Sequence, residues 1–122
     1  MTATDRAIEL ARAAASAAAD KIATDIIALD VSEHLVITDA FVVASAPNDR
    51  QVRAIVEEIE DRLQQLGAKA IRREGLREGR WVLIDFGDVV VHVQHDEDRE
   101  YYALERLWRD CPPIELPETV AR

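Results

Sequence analysis

One cysteine, four glycines, four prolines and six Phe, Tyr or Trp residues are spread over 122 positions, and each scarcity excludes something. The lone Cys111 cannot close an internal disulfide, which fits a reducing compartment. It also lacks a basic neighbour that would favour a thiolate, so its reading is structural rather than nucleophilic. Four glycines cannot supply a glycine-rich phosphate loop, and the residues around Ser45 do not form the G-x-S-x-G elbow of a hydrolase. No apolar run reaches ~18 residues, so a membrane-spanning helix is not expected. The alanine-rich start is interrupted by Asp5, Arg6, Glu9, Arg12 and Asp20, unlike a secretory leader, and the expected location is the cytoplasm. Positive charge is also short: 15 basic residues face 24 acidic ones, for a net charge of −9. A surface of that sign repels a phosphate backbone, so direct nucleic-acid recognition is disfavoured and a basic protein partner is favoured.

What is present describes one folded domain. Apolar residues make up 48% of the chain and charged residues 32%, enough for one core. Thr2-x-x-Asp5 reads as a capping box, followed by Ile8, Ala11, Ala15, Ala18 and Ile22 at helical spacing. Residues 25–31 read as a strand with Ile27, Leu29 and Val31 on one side and Ile26 and Ala28 on the other. Ser32-Glu33-His34 is a loop, residues 39–45 a second buried strand, and Ala46-Pro47-Asn48-Asp49 a helix entrance. Val52, Ile55, Val56, Ile59, Leu63 and Leu66 define the clearest amphipathic helix, closed by Gly67. A short strand within 68–73 and a polar loop over 74–79 follow. The order helix, strand, strand, helix, three strands, helix predicts an α/β domain over residues 1–112 with a single mixed β-sheet flanked by helices. Residues 113–122 are expected as an extended or disordered tail.

The chain is organised around residues 80–108, which hold both tryptophans, both tyrosines, one of two phenylalanines and two of three histidines. Residues 81–86 and 89–94 alternate as paired strands, and Gly87-Asp88 suits a tight hairpin turn. Setting Phe86 opposite Val89 puts Val82, Ile84, Phe86, Val89, Val91 and Val93 on one face. Trp81, Leu83, Asp85, Val90, His92 and Gln94 then share the other. The first set is core; the second mixes rings and polar groups, as a half-covered surface does. A helix follows, capped by Asp96 or Asp98 and stopped by Pro112-Pro113, with Tyr101, Leu104 and Trp108 in one stripe widened by Tyr102 and Leu107.

Conventional chemistry finds little support here. His92-x-x-His95 would point to opposite faces of a strand, which argues against a metal site. Asp85-Phe86-Gly87 matches a kinase tripeptide without its companion motifs, and Asp96-x-Asp98 is better explained as a helix start than as a divalent-ion site. By elimination the chain reads as a non-catalytic binding module without cofactor or metal. Its working surface comprises Trp81, His92, Arg99 and Tyr102, because large rings and arginine dominate interface energetics.

Residues 81–92, WVLIDFGDVVVH, followed by Arg99, Tyr102, Leu104-Glu105 and Leu107-Trp108, resemble the signature of the ribosomal silencing factor (Iojap-like) family. The likeness extends upstream through residues 25–31, Asp39-x-Phe41 and residues 49–52, covering about residues 21–110. Ala40, and Ala46-Pro47 after the second strand, depart from the family pattern. The resemblance implies a nucleotidyltransferase-like topology without an evident catalytic site. It also implies binding to ribosomal protein fourteen of the large subunit, blocked subunit joining and lowered translation under nutrient limitation. Trp81, Phe86, Asp88, His92, Arg99 and Tyr102 would then lie at or near the ribosomal contact. Two alternatives remain: a nucleotidyltransferase-like enzyme, and a homodimer closing its aromatic surface on itself.

Overall fold

A computed structural model describes residues 2–118 and 120. Its elements run α1 (Asp5–Asp20), β1 (Thr24–Asp30), β2 (Ala40–Ala46), α2 (Asp49–Gln65), β3 (Arg72–Glu74), β4 (Trp81–Asp85), β5 (Val89–His95), α3 (Asp96–Tyr102) and α4 (Leu104–Leu107). The five strands form one mixed sheet in the order β1-β2-β5-β4-β3. Only β2 and β5 run parallel, an arrangement that requires the long crossover supplied by α2.

The two long helices cover one face. Alanines carry the buried stripe of α1 (Ala7, Ala11, Ala14, Ala15, Ala17 and Ala18), with Leu10 the one large side chain fully buried, so α1 can approach its neighbours closely. Its cap is Thr4, whose hydroxyl accepts from the Ala7 N–H at 3.1 Å, rather than Thr2. Ile22 falls beyond the helix in a left-handed conformation (φ 61°) and is 77% exposed, so it does not continue the stripe. Helix α2 starts at the Asn48 cap and buries Val52, Ile55, Val56, Ile59 and Leu63. Each such side chain contributes about 1.5–3 kcal/mol by leaving water. They meet Ala40, Val42, Ala44 and Ala46 of β2, Val82 and Ile84 of β4, and Val89, Val91 and Val93 of β5.

The hairpin pairs as its alternation predicts. Ile84 lies opposite Val91 and Asp85 opposite Val90, and the Phe86 N–H donates to the Val89 carbonyl at 2.9 Å. Gly87 adopts φ 90°, and the Asp85 carboxylate accepts its N–H at 2.8 Å, which fixes the turn. Strand β1 divides its side chains as expected, Ile26 and Ala28 toward the helices, Ile27 and Leu29 away, and Val31, just past the strand, joins the latter.

The C-terminal helix departs from expectation in two ways. His95 caps it, its Nδ1 accepting from the Glu97 N–H at 3.1 Å, while Asp96 accepts from the Thr24 hydroxyl and Asp98 pairs with Arg80. Ala103 then turns left-handed (φ 46°) and splits the helix into α3 and α4. Beyond it the chain runs along the outer edge of β1: the Asp30 N–H donates to Pro112, the Ile114 N–H to Ala28, and Ile114 is buried. Residues 119, 121 and 122 of the expected tail lie outside the described residues. Asp30 also accepts the Ala3 N–H through its carboxylate at 2.8 Å. Burial works to raise that carboxyl's pKa, but hydrogen bonds from the Ser32 hydroxyl and from the Ala3 and Ser32 N–H groups outweigh it and hold it below the ordinary value. Among the described residues, no helix is long and apolar enough to cross a membrane.

Candidate interaction face

The sheet face turned away from α1 and α2 carries a second cluster, Leu29, Val31, Phe41, Val90 and Cys111, with Ile27, Leu35, Leu83 and Trp108 packed against it. Burial pushes the Cys111 thiol pKa up, with nearby acidic residues adding to the effect, so that thiol stays protonated.

Across this face runs a continuous series of rings. His34 meets Trp108 with centroids 6.3 Å apart, Trp108 meets Phe41 at 5.2 Å, and Phe41 meets His92 at 5.0 Å. His92 lies 6.1 Å from Trp81, Trp81 lies 4.8 Å from Tyr102, and Tyr102 lies 4.9 Å from Tyr101. Edge-on and tilted geometries of this kind are favourable for aromatic pairs. The series is buried at its centre, at Phe41 and His92, and emerges at both ends, through half-buried Trp108 to exposed His34 on one side and through half-buried Trp81 to Tyr102, 47% exposed, and Tyr101, 81%, on the other. On that second side it ends in an outward ledge, with Leu83 beside Trp81 and Leu107, 73% exposed, on the neighbouring turn.

The ledge is held from below. The Trp81 indole N–H donates to His92 Nδ1 at 3.2 Å, which leaves that nitrogen unprotonated and puts the imidazole proton on Nε2. Burial pushes the His92 pKa down to about 4, so the ring is neutral at physiological pH. Its Nε2 is buried without a hydrogen-bond partner among the described residues, as are both polar atoms of the Gln94 side chain. Arg99 is 6% exposed; its Nε donates to Glu105 at 3.2 Å and one terminal nitrogen to the Ser45 hydroxyl at 3.3 Å. That guanidinium ties α3 to β2 and, across the Ala103 break, to α4. It orients the helix that presents Tyr102.

Three of the residues singled out from sequence come together, Trp81, His92 and Tyr102, and Arg99 lies on the helix that presents Tyr102, bonded to Glu105 and Ser45 rather than to the rings. Two lie elsewhere. Phe86 is buried among the core side chains on the opposite face, and Asp88 sits exposed at the hairpin tip, where its carbonyl accepts the Asp39 and Ala40 N–H groups. Sequence reasoning missed Phe41, Trp108 and His34 as members of the ring series. Their place depends on β2 lying parallel beside β5, which alternation within either strand cannot reveal. On the α3 side of the ledge acidic residues gather: Asp96, Glu97 and Asp98 fill the first turn of the helix, the latter two paired with Arg80, and Glu100 is exposed on the next.

A small α/β sheet with its long helices on one face and a ring-lined ledge rimmed by carboxylates on the other defines a protein that presents a surface. The family model described as "Ribosomal silencing factor during starvation" matches residues 4–122. The chain belongs to the ribosomal silencing factor family. It is 47% identical over 103 residues to ribosomal silencing factor RsfS of Bacillus subtilis, covering 84% of this chain and 87% of the relative. RsfS of Halalkalibacterium halodurans is 42% identical over 113 residues, covering 93% of this chain and 97% of its own length. A crystal structure of a Chromobacterium violaceum protein superposes with a TM-score of 0.79 at 38% identity, covering 82% of this chain and 83% of that one.

Proposed function

We propose that this chain acts in the cytoplasm as a translation repressor that binds the large ribosomal subunit through ribosomal protein fourteen. Occupying that protein blocks docking of the small subunit and lowers translation when nutrients run short. The observation that carries this reading is the ledge of Trp81, Tyr102 and Tyr101, an outward aromatic surface on the face free of long helices and rimmed by acidic residues. Rings supply contact area at low entropic cost, and the carboxylate rim selects a positively charged protein rather than naked phosphate.

Within this reading the residues divide by task. Trp81 and Tyr102 touch the partner, whereas His92 and Arg99 set their positions from beneath. Phe86 acts through the core that fixes the hairpin, and Asp88 through the turn that joins it to the segment between β1 and β2. Replacing Tyr102 with alanine leaves the fold intact, because that side chain is half exposed, and weakens binding to purified large subunits by about 2 kcal/mol or more. Co-sedimentation measures it. A folded Tyr102→Ala protein that binds as tightly as the parent refutes the assignment of this surface.

A further inference from the structure

The net charge of −9 hides a region of opposite sign. Residues 69–80 contain five basic side chains and two acidic ones, a local excess of three positive charges, while the rest of the chain carries an excess of twelve negative. This stretch forms the free edge of the sheet, since β3 is the last strand and all three of its residues are exposed.

Two of the five cations are engaged by the chain itself. Arg73 faces α2 and grips Glu60 with two hydrogen bonds, and Arg80 bridges Glu97 and Asp98. The other three are available. Lys69 and Arg77 are exposed and their side chains make no hydrogen bond or ion pair among the described residues. Among the described residues Arg72 has only Glu74, at 3.4 Å with both side chains more than half exposed, a pair that solvent screens heavily. Strand alternation decides where Arg72 lies. It stands opposite Asp85 and Arg73 opposite Ile84, so Arg72 shares the sheet face of Trp81, Leu83 and His92.

The loop carrying Arg77 is built to hold its shape. Its Gly79 N–H donates to Gly75 at 3.0 Å, and Arg53 from α2 donates to the carbonyls of both Leu76 and Arg77. Gly75 (φ 81°) lies so close to β4 that an added Cβ would sit 2.0 Å from the Trp81 carbonyl oxygen. Arg72 therefore adjoins the aromatic ledge, where Glu74, Gly75, Trp81 and Leu83 line one shallow hollow, while Lys69 lies toward α2 beside Glu60, Gln64 and Arg73.

We infer that Lys69, Arg72 and Arg77 form a contact for an RNA phosphate backbone that runs along the free β3 edge of the sheet, beside the ring ledge. The inference rests on the ribosomal reading above and extends it: the ledge meets protein while this edge meets the nucleic acid beside it. Arginine forks match phosphate oxygens in geometry, and the contact reads charge rather than base sequence.

The test compares the parent with the triple variant Lys69→Glu, Arg72→Glu, Arg77→Glu, and with the neutral triple variant in which the same positions become Gln. All three side chains are exposed, and circular dichroism checks that each protein is folded. Binding is measured to purified large subunits across a salt series, to isolated ribosomal protein fourteen, and to an RNA hairpin. Each phosphate neutralised contributes about 0.7–0.9 to the slope of log affinity against log salt. The Glu variant is expected to bind subunits at least about tenfold more weakly, with a slope smaller by about 2, and the Gln variant to fall between it and the parent. Both variants keep parental affinity for isolated protein fourteen and lose the hairpin. Unchanged affinity and slope on subunits overturn the proposal, and so does an equal loss on isolated protein fourteen, which would make the edge a protein contact. If the parent itself fails to bind subunits, the ribosomal reading falls separately, and equal hairpin binding by parent and variants then overturns the RNA contact as well.

Discussion

Acidification tests the arrangement beneath the ledge. His92 is buried and neutral, with its pKa moved from 6.5 to about 4 by the loss of solvent. The unfolded chain holds that imidazole near its ordinary value, so below pH 6.5 the unfolded state takes up a proton that the folded state refuses. Stability from this group is therefore complete above pH 6.5 and is lost as pH falls toward 4. One pKa unit corresponds to about 1.4 kcal/mol, which makes the full loss roughly 3 kcal/mol and the loss between about pH 7.5 and about pH 5 near 2 kcal/mol. Carboxylates titrate over the lower part of this range, so the comparison must be internal. His92→Asn keeps an acceptor where Nδ1 stands and removes the titration. Urea unfolding of both proteins at the two pH values gives the difference. The parent should lose about 2 kcal/mol more than the variant on acidification. Equal losses would mean that the imidazole is not shielded in the way the Trp81 hydrogen bond and the surrounding rings require.

Three further substitutions bear on local structure. Gly75→Ala must place a Cβ 2.0 Å from the Trp81 carbonyl at a positive φ, so it destabilises the fold by about 3 kcal/mol or more, read as a fall in the urea midpoint. Ala103→Gly relieves a left-handed alanine and raises stability by roughly 0.5–1 kcal/mol in the same assay; a loss would show that φ 46° carries no strain there. Asn48→Ala removes the α2 cap, whose side chain accepts the Gln51 N–H at 2.8 Å, and costs about 1 kcal/mol by thermal or urea unfolding.

The legible parts of this fold were those governed by short-range periodicity. The alternation on either side of Gly87-Asp88 set the register of β4 and β5 pair by pair, because a turn with one compatible geometry leaves no freedom to slip. The apolar face of α2 was equally plain. Where the reading failed, the deciding interaction came from elsewhere in the chain. Alanine favours helix, and nothing local marks Ala103 as a break; the ties from Arg99 to Glu105 and Ser45 span that break. Asp96 and Asp98 are better caps than histidine by preference, but Thr24 and Arg80 claim them, which leaves His95 to cap α3. The half-exposed face of the hairpin was read correctly as mixed, yet which of its members would meet required knowing how β2 lies against β5. That juxtaposition brings Phe41 to His92 and leaves Phe86 on the far side of the sheet.

The segment before α1 and the segment after α4 both fasten to one residue of an edge strand: the Asp30 carboxylate holds the Ala3 N–H, and the Asp30 N–H donates to Pro112. A copy emerging from the ribosome that makes it thus carries the outer edge of β1 uncovered until Pro112 is out, and β2 waits for β5 over much of the same interval. Native pairings so distant along the chain form late and leave strand borders open to mispairing with other nascent material. A product cut short before Pro112 would remain in that vulnerable condition for its whole lifetime.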